Sequence, residues 1–112
     1  MNGSDYKAFY LSLQESDKVA FLALVSAQLT IHGRAFGLDL KGKQLSNALL
    51  GLNELHHKLS EHIAAITLKD NRYPDDVLWQ ILLEQAEIYG LSVQLTQSFQ
   101  FVASKGFWSL SR

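Results

Sequence analysis

At 112 residues, 47% apolar and 19% charged, the chain is long enough to build one helical-bundle domain with a genuine core and too short for two. A net charge of -1 with no run of like charge supplies no field for a polyanion, so nucleic acid is not an expected partner. The absence of cysteine excludes disulfides, thiolate metal sites and cysteine nucleophiles, and it fits a reducing, cytoplasmic setting.

The opening MNGSDYKAFY has neither the basic nor the apolar segment of a signal peptide. Ser4 and Asp5 can cap a short first helix over roughly 5–13, whose Tyr6, Phe9, Tyr10 and Leu13 recur at three- and four-residue spacing. So short a helix is unstable alone, and its aromatics must dock on something. Ser16 and Asp17 start a second helix that the pattern carries to about Phe36, with Gly37 beyond its end. One stripe is Leu22, Val25, Leu29, His32 and Phe36; the opposite side carries Ala20, Leu24, Ala27 and Ile31. A helix apolar on two faces is either central in its fold or shared with a partner. Its most apolar window, 19–31, is about 13 residues and includes Ser26, Gln28 and Thr30, short of the roughly 20 that a membrane span needs.

A third helix is expected over about 43–68, with Leu45, Leu49, Leu52, His56, Leu59, Ile63 and Ile66 on one seam, widened by Ala48 and Leu55. Residues 69–73 have no periodicity and read as a loop, and Pro74 followed by Asp75 and Asp76 is a helix start. From there the pattern allows one helix to about Ser104, with Val77, Ile81, Glu84, Ile88, Leu91, Leu95, Phe99 and Val102 as its main seam. Leu78, Leu82, Tyr89 and Val93, with Trp79 and Leu83 beside them, form a second apolar side, and Gly90 is a place where the helix could kink or split. The tail Phe107-Trp108-Ser109-Leu110 is apolar enough to be expected against the first helix or a second subunit.

Candidate chemistry is sparse. Glu54 and His57 share a helix face, as in carboxylate-bridged metal bundles, but those need two such pairs and further glutamates. Glu61 and Glu84 are the available additions, so the metal candidates are Glu54, His57, Glu61 and Glu84. The simpler reading is a solvated face with i,i+4 pairs from His57 to Glu61 and from Glu54 to Lys58. His32, His56 and Glu84 each interrupt an apolar seam and could converge, or could be satisfied separately within the core or at an interface. If the second and third helices are antiparallel neighbours, His32, Arg34, Asn53, Glu54 and His57 could line a small polar pocket. Gly33 and Gly51 are placed to allow close helix approach. No glycine-rich phosphate loop or nucleophile elbow is present, and no cofactor is expected.

The segments Leu-Thr-Ile-His-Gly-Arg at 29–34, Leu-Asn-Glu-Leu-His-His at 52–57 and Arg-Tyr-Pro-Asp-Asp-Val at 72–77 resemble segments of small, uncharacterised all-helical bacterial proteins. The resemblance implies no activity. It draws attention to His32, Arg34, Asn53, Glu54, His57, Arg72, Tyr73, Asp75 and Asp76.

The expected fold is all-α, an antiparallel bundle of three long helices plus a short N-terminal one. The expected role is non-enzymatic: association as a homodimer or with a helical partner, through Ala20, Leu24, Ala27 and Ile31 and through Leu78, Leu82, Tyr89 and Val93. The alternative is a metal- or small-ligand-binding bundle that uses Glu54 and His57 with His32 or Glu84. A membrane is not an expected partner.

Overall fold

The computed structural model describes residues 6–69 and 74–105. Among the described residues every element is an α-helix: α1 Lys7–Leu11, α2 Glu15–Gly37, α3 Gly42–Thr67, α4 Asp75–Ile88 and α5 Ser92–Ala103. The all-α expectation is met, and the bundle differs from it in how the last helical segment is divided. The expectations for Ser4 and Asp5, for Arg72 and Tyr73, and for the tail at 107–110 fall outside the described residues.

α2 is the hub. It packs on both α3 and α5, and α4 packs on α3. Gly33 lies against Leu52, Gly37 near Leu45, and Ser26 bonds to His56, so α2 and α3 run antiparallel. Gly51 meets Tyr89 while His62 meets Asp75, so α3 and α4 do too. A methyl group at Gly33 would collide with the Leu52 side chain, and one at Gly51 with the Tyr89 stem. At both glycines the neighbouring element leaves no room for a methyl group.

The core is unusually aromatic at the end where α1 docks. Tyr10 stacks on Trp79 with ring centroids 4.9 Å apart, Trp79 stacks on Phe99 at 4.6 Å, and Phe21 and Tyr6 close the cluster. Each large ring removes apolar area on the order of 150–250 Å² from water, enough to fix a five-residue helix that has no stability of its own. α1 is therefore a cap held by side chains from α2, α4 and α5.

One open expectation is resolved and three are corrected. First, α4 and α5 are separate helices, the split at Gly90 that the sequence allowed. Gly90 takes φ of 69°, Leu91 N–H bonds to the Ala86 carbonyl at 2.7 Å and Gly90 N–H to Glu87 at 3.1 Å, the paired bonds of a Schellman stop. Second, that stop shifts the helical phase. Leu91, Leu95, Phe99 and Val102 are buried in α5 as the main seam requires, but in α4 the seam residues Val77 and Ile88 are exposed while Trp79, Leu82 and Ala86 form the core. Third, the α3 core line runs through Ala48, Gly51, Leu52, Leu55, Leu59 and His62, so the predicted seam is rotated and Leu49 is 56% exposed. Gly37 also stays inside α2, with Leu38 as its cap, rather than standing beyond it.

Candidate functional site

Two features remain once the apolar core is assigned: a buried polar node and an uncovered face of α2. The node joins four helices. His62 of α3 has no exposed surface, and its Nε2 lies 3.1 Å from Asp75 Oδ1 of α4 and 3.0 Å from the Tyr10 hydroxyl of α1. The Tyr10 hydroxyl donates to the same Asp75 oxygen at 3.3 Å. Lys18 of α2 bonds the other oxygen, Oδ2, at 2.8 Å, with both side chains largely covered. His62 Nδ1 is buried without a hydrogen-bond partner among the described residues. The tautomer with its proton on Nε2 strands no buried N–H, because Nε2–H then donates to Asp75 and Nδ1 is left as a bare acceptor.

Electrostatics follow from that arrangement. Burial lowers the His62 pKa and outweighs the attraction of Asp75, so the imidazole is neutral. Burial pushes the Asp75 carboxyl up, yet hydrogen bonds from Lys18 and His62 and the Lys18 charge more than offset it, and the group sits below the ordinary carboxylate value. Burial and the adjacent carboxylate both raise Tyr10. One cation and one anion are thus paired at the centre, with two neutral groups bonded to the anion. The node has the composition of an acid–base centre. Neither of two nearby grooves, one with Lys58, Glu61, Leu78 and Ile81 and one with Lys7, Asp76, Val77, Gln80, Ile81 and Glu84, includes any of its four residues. Its evident work is to fasten α1 and α4 to the bundle.

A second polar contact locks α2 to α3. Ser26 Oγ lies 2.7 Å from His56 Nδ1 and Thr30 Oγ1 3.1 Å from His56 Nε2, while the Thr30 hydroxyl donates to the Ser26 carbonyl at 3.3 Å. One pattern satisfies all three: Ser26 donates to Nδ1, Nε2–H donates to Thr30, and Thr30 donates to the carbonyl. Burial lowers the His56 pKa and keeps one ring nitrogen free to accept. The Ser–His distance is that of a nucleophile and its base, but Ser26 is in mid-helix, where neighbouring backbone N–H groups are already bonded and no oxyanion donor is offered.

The residues singled out from sequence are dispersed. His57 is exposed and pairs with Glu61 at 2.7 Å, the solvated i,i+4 contact anticipated as the simpler reading. Arg34, Asn53 and Glu84 are exposed, Glu54 is half-buried, and the ring of His32 faces Phe101 edge-on. His32, His56 and Glu84 do not converge, and no group of three or more potential metal ligands occurs among the described residues. Of the residues suggested for a polar pocket, Arg34, Asn53 and His57 are exposed, and His32 and Glu54 are half-buried. Of the residues that the resemblance emphasised, Asp75 belongs to the node. Tyr10, Lys18 and His62 were missed. The available signal was that His62 follows Leu55 by seven residues and so shares its buried face.

The uncovered face lies opposite the Leu22, Val25 and Leu29 core line of α2. Leu24 is 38% and Ile31 59% exposed, Ala27 is exposed and Ala20 half-buried. Only 28% of the most apolar 18-residue stretch of this helix is buried, and the 23-residue helix is long and apolar enough to cross a membrane by length and composition alone. Core helices pass the same test, and Phe21, Leu22, Val25 and Leu29 are fully buried against neighbouring helices. The second predicted association side does not survive as a surface, because Leu82 is fully buried and Gly90 separates Leu78 and Leu82 from Val93. No protein-family model, curated protein or solved structure matches the chain, so any functional reading rests on these residues alone.

Proposed function

We propose that this chain acts by protein association, as a cytoplasmic homodimer, through the outward face of α2. The observation that supports this reading is the contiguous apolar stripe Ala20, Leu24, Ala27 and Ile31 on the most central helix of the bundle. The molecule spans 47 × 30 × 19 Å, about two helix layers at its thinnest, and among the described residues no helix covers Leu24 and Ile31. A soluble fold gains nothing from leaving Leu24 and Ile31 in water, whereas a second chain removes them at roughly 25 cal/mol for each Å² buried.

Native mass spectrometry together with light scattering tests the proposal. A dimer is expected for the wild type, and Leu24→Glu or Ile31→Glu is expected to give a monomer with unchanged helicity. Leu82→Glu is the contrast: its charge falls in the core, so it is expected to unfold the chain rather than change its oligomeric state. A wild type that stays monomeric at high concentration overturns the proposal.

A further inference from the structure

The outward face of α2 is self-complementary in one orientation only. Its apolar stripe is bordered by opposite charges, Asp17 before Ala20 and Arg34 after Ile31. Lys18 is turned instead to Asp75. From the middle of the stripe, Leu24, Ala20 and Asp17 lead one way and Ala27, Ile31 and Arg34 the other, each by a step of four residues and then a step of three. An antiparallel copy matches the two series one to one. Leu24 meets Ala27, Ala20 meets Ile31, and Asp17 meets Arg34, so both apolar pairs set a large side chain against a small one and the outer pair is oppositely charged. A parallel copy does the reverse: leucine and isoleucine meet themselves, alanines face alanines across gaps, and like charges meet at both ends.

Resting on the association reading above, we infer that two copies pair α2 against α2 antiparallel, about a two-fold axis level with Val25 and Ser26. The alanines permit interaxial distances near the short end of the 8–10 Å range. Ser26 and Thr30 hydrogen-bond to His56, which keeps their hydroxyls directed to α3 and the paired stripe apolar. The partner is a second copy of this chain, and the large-against-small pairing of Leu24 with Ala27 and of Ala20 with Ile31 sets its direction and register.

The cysteine-free chain makes the test direct. Ala20→Cys and Ile31→Cys chains, distinguished by an isotope label, are mixed, oxidised without reductant and separated by mass. The expected result is a mixed disulfide joining positions 20 and 31, exceeding either homodisulfide by about tenfold because only that pair is held at high effective concentration. In the antiparallel register two copies of position 20 are about 16 Å apart along the axis, too far to bridge. Predominance of 20–20 and 31–31 disulfides overturns the antiparallel pairing. A dimer in native mass spectrometry with neither kind of disulfide also overturns it while leaving association standing, and a monomeric wild type overturns both.

Discussion

His62 is the residue on which the polar architecture turns, and it makes a pH prediction with a definite sign. Its pKa, like that of His56, is lower in the folded state than the ordinary value of about 6.5 because burial disfavours the charged ring. The unfolded chain therefore binds more protons once pH falls below that value. Stability contributed by the neutral rings is complete above it and is lost as pH falls through the folded values, at no more than about 1.4 kcal/mol per pH unit for each group. Asp75 acts lower: its folded pKa is depressed below the ordinary 3.8, so its contribution persists through weak acid and is lost only in stronger acid. Urea unfolding from neutral pH to pH 5 should show falling stability in the wild type and a shallower fall in His62→Phe; identical slopes would rule out His62 as a source. Tyr10→Phe deletes the hydroxyl that joins α1 to His62 and Asp75 and should cost about 1–2 kcal/mol in the same assay. The node was hard to read from sequence because each member has an ordinary alternative: Tyr10 as one of several docking aromatics, Asp75 as a dipole partner in a first turn, Lys18 as a surface cation. Only the fold brings them to one point. The His57–Glu61 pair was legible for the opposite reason, since an i,i+4 pair is fixed by the helix itself, although Lys58 turns to Glu61 rather than to Glu54 as expected.

At the scale of the element, the packing glycines and the stop glycine separate cleanly. Alanine at either Gly33 or Gly51 gains up to about 1 kcal/mol of helix propensity. At Gly51 the new methyl meets the Tyr89 stem, which cannot move without shifting the end of α4, and the crowding costs about 1–3 kcal/mol. At Gly33 it meets the tip of Leu52, which can change rotamer. Thermal unfolding should therefore rank Gly51→Ala below the wild type and Gly33→Ala close to it. Equal losses at both would mean that the Leu52 tip is as immobile as the Tyr89 stem. Gly90→Ala has open space around its methyl but must hold φ at 69°, so a loss of about 1 kcal/mol is expected from backbone conformation alone. That same glycine explains the uneven legibility of the fold. Helix content and the antiparallel order of α2, α3 and α4 follow from local patterns of apolar spacing and turn residues. The main seam predicted for the last segment assumes one unbroken phase, and the Schellman stop resets the phase between Ile88 and Leu91, so Leu95, Phe99 and Val102 were assigned correctly while Val77 and Ile88 were not. An apolar residue directly after a glycine, as in Gly90-Leu91, was the signature of that stop.

For the whole molecule, the question is whether the exposed stripe of α2 is a surface the fold tolerates or one it uses. Scattered exposed side chains are normal in a folded protein, and Leu38 and Leu68 at helix ends are of that kind. The α2 stripe differs because its members recur at helical spacing on the element that carries the most packing and leave no polar residue between Ala20, Leu24, Ala27 and Ile31 on that line. If the stripe is buried between two copies, folding and dimerisation are coupled by mass action, and the apparent melting temperature depends on protein concentration. For a homodimer each tenfold rise in concentration adds about 1.4 kcal/mol to the stability of the assembly, or a few degrees for a domain of this size. Calorimetry over a range from about 2 to 200 µM should show that rise in the wild type and a flat line for Ile31→Glu, which cannot bury its carboxylate against another chain. A wild-type midpoint that does not move with concentration would show that α2 is solvated throughout the range, and its apolar outward face would then need a reason other than self-association.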